Sequence, residues 1–235
     1  MFRFKQFAIE QDRTAMKVGT DGVLLGAWCR TPQSNVPSRI LDIGAGTGLI
    51  ALMLAQRSEH STVVGVEVDE ASWGQASENV ERSPWSERVE IIKSPIQEFE
   101  PKERFDLIVS NPPYFVDSLL SPDASRTNAR HTTTLTFEEL IVSVLRLLGD
   151  GGRFAVVLPT VESQRFDEVL QGRMTLNRRC FVKGREDLEV KRVMSEYVVA
   201  PLDGDVEMEE LTIERERHQY TDEYKELTRD FYLKF

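Results

Sequence analysis

Residues Leu41-Asp42-Ile43-Gly44-Ala45-Gly46-Thr47-Gly48-Leu49 restrict the possible folds more than any other stretch. A short apolar run enters a bend holding three glycines and leaves it in an apolar helical pattern that continues to Ala55. That order reads as strand, tight loop, helix. Glycine tolerates positive φ and leaves its backbone open to a ligand. The start of the helix then offers N–H groups without intrahelical partners. A second apolar run, Thr62 to Val66, ends at Glu67, nineteen positions after Gly48. An acidic residue at about that distance is where a βαβ nucleotide site grips a ribose diol.

Asp42, just ahead of the first glycine, would repel a pyrophosphate. A ligand with a cationic amino-acid end and a nucleoside end suits an acidic loop better, and S-adenosylmethionine is such a ligand. Here the stretch from Leu41 to Gly48 resembles the first motif of the class I methyltransferases. The competing reading is a glycine-rich turn in some other α/β enzyme.

Alternating strand and helix patterns run through the rest of the chain. Strands are expected at about 39–43, 62–67, 89–93, 105–110 and 154–158. Helices are expected at 48–57, 70–82, 136–148 and 162–172. An earlier helix starts near Asp21, with Thr20 or Asp21 as its cap. Thr136 and Glu139 fit a capping box, and Gly149 to Gly152 is expected to end that helix. Stretches 174–182 and 190–200 read as a hairpin, followed by a charged strand at 207–215 and a helix from Thr221 to Leu233. The fold class is α/β: a doubly wound, mostly parallel, Rossmann-like sheet with a closing antiparallel hairpin. The expected organisation is one domain over 1–235, with an N-terminal segment at 1–38 and a C-terminal extension at 201–235. Ligand is expected beyond the carboxyl ends of the strands, beside the first of them.

Composition narrows the function classes. No run approaches the ~18 apolar residues of a membrane span, and Met1-Phe2-Arg3-Phe4-Lys5 lacks the apolar stretch of a signal peptide. Cys29 and Cys180 form no disulfide framework and read as reduced thiols of a cytoplasmic protein. His60, His131 and His218 are scattered, so no metal site is expected. The net charge of −10 argues against a broad nucleic-acid surface. A nucleic-acid partner would need a local basic patch.

The strand at 105–110 stops at Asn111-Pro112-Pro113-Tyr114. Two prolines stiffen this corner and remove two N–H donors. The Asn111 side-chain oxygen and the Pro112 carbonyl then make a pair of acceptors, and Tyr114 adds a flat ring. This set suits a planar substrate bearing an –NH₂ group. Such a nitrogen is a poor nucleophile, because its lone pair is delocalised. Two fixed acceptors would stabilise the positive charge that builds on it during transfer. The structural alternative is a rigid turn at a strand's end.

Asn111 to Tyr114 resembles the fourth motif of amino-methyltransferases acting on adenine N6, guanine N2 or protein glutamine. Phe4 to Phe7, Met16 to Gly22, Leu52 to Arg57, Ser83 to Arg88, Ala129 to Leu135 and Phe231 to Leu233 extend the similarity nearly end to end. Together they resemble the bacterial tRNA adenine-N6 methyltransferases that modify A37 of valine tRNA. The resemblance implies S-adenosylmethionine as cofactor and the anticodon loop of a tRNA as partner, with no obligate protein partner. It implies that Asp42, Gly44 and Gly46 line the cofactor's amino-acid and ribose region, and that Glu67 holds the ribose hydroxyls. Lys17, Thr20 and Asp21 would close over the methionine end. Asn111, Pro112 and Tyr114 would grip the flipped adenine, Asn111 facing the cofactor as well. The family often carries an Asp against the cofactor's adenine; here Ser94-Pro95-Ile96 stands there, leaving backbone at Ile96, or no contact at all, as the substitute. Arg126, Arg130 and His131 would meet RNA at the pocket mouth, and Arg3, Lys5 and Arg13 could extend a basic strip. Arg178, Arg179, Lys183, Arg185, Lys191 and Arg192 form either a second patch or a solvent face, and Glu207 to Glu210 reads as a solvated edge that discourages strand pairing.

Other readings stay open. One is methylation of a release-factor glutamine or of guanine N2 in ribosomal RNA. The glutamine enzymes carry a larger helical N-terminal domain, and the guanine enzymes often a duplicated catalytic one. The non-enzymatic alternative is a module that binds S-adenosylmethionine and recognises RNA or assists assembly.

Overall fold

The computed structural model describes residues 1–14, 16–32, 36–113, 135–200 and 204–234. A short hairpin, β1 (Phe2–Arg3) and β2 (Ala8–Ile9), precedes α1 (Thr20–Trp28). Then come β3 (Ser38–Ile43), α2 (Leu49–Arg57), β4 (Ser61–Glu67), α3 (Glu70–Glu81), β5 (Val89–Lys93) and β6 (Phe105–Ser110). The second half holds α4 (Phe137–Leu147), β7 (Leu148–Pro159), α5 (Thr160–Leu170), β8 (Thr175–Arg185) and β9 (Val190–Val198). It ends with β10 (Glu207–Glu216), β11 (Gln219–Tyr220) and α6 (Asp222–Thr228).

Among the described residues nine strands form one sheet in the order β11-β10-β8-β9-β7-β6-β3-β4-β5. β5, β4, β3, β6 and β7 are parallel to one another. β9 runs antiparallel between β7 and β8, which is the expected closing hairpin. From β3 the chain winds outward through β4 and β5, then returns to β3's other side with β6. The switch point therefore lies between β3 and β6, where Ile43 and Ser110 are register partners. The residues after them, Gly44 and Asn111, start side by side on the carboxyl rim.

Each face of the sheet has its own core. One gathers α1, α2 and the aromatic N-terminal hairpin; the other gathers α4 and α5 with Phe99, Phe105, Phe154 and Phe166. Every residue of α2 from Leu49 to Ala55 is buried. A helix apolar all round must be covered on both sides, and α1 supplies the outer cover. Gly22 and Gly26, one turn apart on α1, permit the close approach. A Cβ at Gly22 would lie 3.2 Å from Leu49 Cδ2, and one at Gly26 2.8 Å from Met53 Sδ.

Several local expectations are corrected. Gly19, not Thr20 or Asp21, is the N-cap of α1, without a side-chain cap. Asp21 instead sits in the first turn, favourable for an anion, and its Oδ2 accepts from Arg192 Nε at 2.7 Å. The α4 capping box is present: Glu139 N donates to Thr136 Oγ1 at 3.2 Å, and Thr136 N to Glu139 Oε2 at 2.8 Å. Gly149 to Gly152 lies within β7 rather than ahead of it. Leu148 pairs with Phe105 and Arg153 with Leu107, so these residues form an irregularity in the strand. The last helix is shorter than expected, with Thr221 as its cap.

The Glu207 to Glu210 run is mostly exposed, with its outer side beyond the reach of β11, but it does not discourage pairing on its inner side. β10 pairs with β8 in parallel. Glu209 takes both arms of Arg178 at 2.9 Å and the Trp28 indole N–H at 2.7 Å. Lys183 bonds Glu210 at 2.8 Å, and Arg30 pairs with Glu207. Opposite charges on neighbouring strands attract, so a row that looks repellent alone becomes adhesive beside a basic strand. The rest of the basic hairpin cluster is largely paired with helices and the turn: Arg179 binds Asp167 of α5, Arg185 binds Asp187 in the β8–β9 turn, and Arg192 binds Asp21 of α1.

Candidate active site

The glycine loop connects β3 to α2 on the carboxyl rim. Gly44, Gly46 and Gly48 have φ of +74°, +55° and +78°, a region that side chains with a Cβ rarely adopt. Gly44 N and Ala45 N donate to Val66 O at 2.9 and 3.1 Å, fastening the loop to β4. A Cβ at Gly44 would meet nothing within 4 Å, and one at Gly46 only the Gly44 carbonyl. Backbone in this bend is therefore open to an approaching ligand.

Glu67, at the end of β4, is tied directly to that loop. Its Oε2 accepts from Gly46 N at 2.8 Å; its Oε1 accepts from Val68 N and Asp69 N, both at 2.9 Å. The carboxylate is thus held in one orientation and keeps one lone-pair site, on Oε2, for a further donor. Ser94 N donates to Glu67 O at 3.1 Å, which places Ser94-Pro95-Ile96 beside it. The Ile96 side chain is buried, and its carbonyl accepts from Phe99 N and Arg146 Nη2.

Asp42 has no exposed surface. Its Oδ2 accepts from Ala51 N at 3.1 Å, in the first turn of α2, doing what the capping glycine Gly48 cannot. Its Oδ1 has no hydrogen-bond partner among the described residues. Burial pushes the carboxyl up to about 7; the Ala51 N–H opposes this, and the charge of Glu67 adds to it. Asp42 thus carries one unpartnered oxygen that is buried behind the loop.

Ser110 Oγ donates to Ile43 O at 3.0 Å and locks the ends of β6 and β3 together. Asn111 follows, half-buried, then buried Pro112 and exposed Pro113. A Cβ at Gly22 would be 3.9 Å from Asn111 Nδ2, so α1 stands against this corner. Thr20 and Asp21 face the hairpin, lining a cleft with Lys191 and Arg192; Lys17 is exposed. Tyr114, Arg126, Arg130 and His131 lie outside the described residues. Of the N-terminal cations, Arg13 pairs with Glu78 and Lys5 donates to the Arg229 carbonyl.

Two residues of α3 escaped the sequence reading. Asn79 accepts from Glu10 N and donates to the carbonyls of Glu10 and Thr47, each at 2.9 Å. Gln75 Oε1 accepts from Arg13 N at 2.9 Å. Both are 1% exposed. They strap the N-terminal segment to α3, and Asn79 also grips the glycine loop at Thr47. The signal was present: polar residues four apart on the buried stripe of a helix, beside Ala76 and Val80.

Among the described residues no group of three or more His, Cys, Asp or Glu is placed to hold a metal, and no helix is long and apolar enough to cross a membrane. Cys29 and Cys180 are free and buried, which pushes the thiols up to about 11 and about 12.

The parallel sheet, its antiparallel insertion and a glycine bend at the switch point make up the architecture of the class I methyltransferases. A solved predicted O-methyltransferase from Agrobacterium tumefaciens superposes with a TM-score of 0.69 at 17% identity, over 90% of this chain and 96% of its own. The methyltransferase small domain family matches residues 28–174. A Bacteroides thetaiotaomicron protein named tRNA1(Val) (adenine(37)-N6)-methyltransferase is 47% identical over 99% of this chain and 97% of its own. A Flavobacterium johnsoniae protein of the same name is 44% identical over the full length of both. The chain belongs to the methyltransferase small domain family and, within it, to the group that carries this name.

The residues present fit S-adenosylmethionine. Backbone at Gly44 and Gly46 is open, the Glu67 carboxylate is oriented beside it by Gly46 N, and the buried Asp42 behind the loop keeps one oxygen without a partner.

Proposed function

We propose that the protein transfers a methyl group from S-adenosylmethionine to the exocyclic N6 of adenine 37 in the anticodon loop of valine tRNA, acting in the cytoplasm as one catalytic domain. The observation that carries this reading is the pairing of Ile43 with Ser110. It sets the donor cradle and the Asn-Pro-Pro corner on neighbouring strands, within reach of a single methyl group. The relatives' name supplies the tRNA and the position.

Bound S-adenosylmethionine supplies an electrophilic methyl on sulfur. The chain's own residues do the rest. Glu67 meets the ribose diol through the remaining site on its Oε2, its orientation set in advance by three backbone N–H groups. Asp42 Oδ1 takes up a donor and so loses the cost of being buried alone. Lys17 closes the methionine end, Thr20 and Asp21 being turned to the hairpin instead, and Ile96 backbone meets the cofactor's adenine. At the corner, the Asn111 amide nitrogen lies toward Gly22, and its oxygen is on the other side of that amide. This oxygen and the Pro112 carbonyl accept from the target –NH₂ and stabilise charge growing on its nitrogen as the N–C bond forms; the surplus N6 proton then passes to water. Holding the reacting atoms in line supplies much of the remaining acceleration. Tyr114 stacks on the base, and Arg126, Arg130 and His131 contact the loop around it. An unpaired anticodon-loop base needs little energy to be turned out.

Labelled S-adenosylmethionine offered with bulk tRNA, ribosomes or release factor separates the candidate substrates. The expected result is label in tRNA, recovered as N6-methyladenosine. Label in release factor or ribosomal RNA would move the reading to glutamine or guanine.

A further inference from the structure

A cleft of about 970 Å³ opens away from the glycine loop, where the N-terminal hairpin meets the C-terminal extension. Its wall is a series of rings. Phe2 and Tyr232 are 6.3 Å apart, Tyr232 and Tyr224 6.4 Å, Tyr224 and Tyr220 5.3 Å. Phe2, Tyr220 and Tyr232 each keep part of their surface exposed. Arg3, Arg215, Lys225 and Lys234 line the same cleft, against one carboxylate, Glu214. Arg215 and Lys225 share Asp222. Among the described residues Arg3 and Lys234 have no ion-pair partner. On a chain of net charge −10 this is a local reversal of sign.

Its place in the sheet connects it to the chemistry. β10 is parallel to β8, so Glu214 and Arg215 lie on the carboxyl rim that also carries Gly44 and Asn111. From β6 to β10 the path crosses β7, β9 and β8, four strand spacings or about 19 Å. A smaller cleft of about 280 Å³, lined by Thr20, Lys191, Arg192 and Ile213 among others, lies on the intervening strand tips. The two clefts share Thr20 and Ile213.

We infer that the aromatic cleft is a second RNA site, holding an unpaired base and its neighbouring phosphates in the same RNA whose adenine is presented to Asn111. Half-exposed rings flanked by cations are what unpaired nucleotides stack upon, without regard to sequence. A polyanion bound by an acidic protein must be held by such a confined patch. The inference rests on the tRNA reading above.

The test measures binding of an unmodified valine tRNA transcript to the full chain, apart from its methylation. Arg3→Glu with Lys234→Glu should weaken binding tenfold or more and reduce the slope of log affinity against log salt by about 1 to 2. Tyr220→Ala should weaken binding with the salt slope unchanged. Arg3→Lys with Lys234→Arg should restore affinity, and S-adenosylmethionine affinity should be the same in all variants. Wild-type affinity and slope in both the charge-reversed and the Tyr220→Ala proteins would overturn the inference, even if self-association changed instead. If the wild type binds the transcript through this cleft yet methylates no tRNA, the functional reading falls and the cleft stands.

Discussion

Asp42→Asn tests the most unusual electrostatic feature of the site. In the unliganded protein this carboxyl is fully buried with one oxygen unpartnered, and is pushed up from 3.8 to about 7. Between those values the folded protein holds a proton that the unfolded chain has released. Wild-type stability therefore falls as pH rises through that window, by up to about 1.4 kcal/mol per pH unit. Across the whole window the loss is on the order of 4 kcal/mol. Asparagine keeps an oxygen for the Ala51 N–H and removes the titration. The stability difference between variant and wild type should thus widen in the variant's favour from pH 4 to about pH 7, then level off. Urea unfolding of both proteins at pH 4, 5.5, 7 and 8.5, without cofactor, measures it; other titrating groups cancel in the difference. At pH 8.5, saturating S-adenosylmethionine should stabilise the wild type more than the variant, because there only the wild type offers the ligand a charged acceptor. Parallel stability profiles across this range would refute the reasoning: Asp42 would then be hydrated or already paired.

Three further outcomes follow from the same geometry. Asn111→Ala should lower kcat 10²-fold or more with S-adenosylmethionine affinity changed far less, as for removal of a preorganised polar contact; single-turnover methylation and a separate cofactor titration check it. Glu67→Ala removes the anchor of Gly46 as well as the ribose acceptor, so cofactor Kd should rise at least tenfold; an unchanged Kd by calorimetry would contradict the assignment. Asn79→Ala leaves the Thr47 carbonyl and both Glu10 backbone groups without their partner, for a cost of about 1–3 kcal/mol. It should speed hydrogen exchange in residues 8–18 before global unfolding, and uniform exchange would argue against a strap.

Much of the core architecture was legible because it rests on local chemistry. Periodicity placed β3 to β6 and α2 to α5 within a few residues, and Thr136 with Glu139 announced its own cap. Errors fell where a distant partner decides. Gly149 to Gly152 has the composition of a helix stop, yet pairing with β6 turns it into an irregular strand. Asp21 has the chemistry of a cap, yet Arg192, 171 positions away, takes its carboxylate. Glu207 to Glu210 looked unable to pair because the Arg and Lys of β8 that neutralise it are invisible to any local window.

By itself the sequence determined the strand, glycine bend and helix around Gly44 to Gly48, the acidic residue at the end of the next strand, and the stiff corner at Asn111. Each depends on backbone preferences of residues close in the chain. Only the tertiary structure decided that Glu67 binds Gly46, that Asp42 is sealed away with one oxygen unsatisfied, and that Asn79 ties the N-terminal segment to the loop. Burial and hydrogen-bond partnership across 20 to 70 residues are set by how the sheet is wound, and no local preference encodes them.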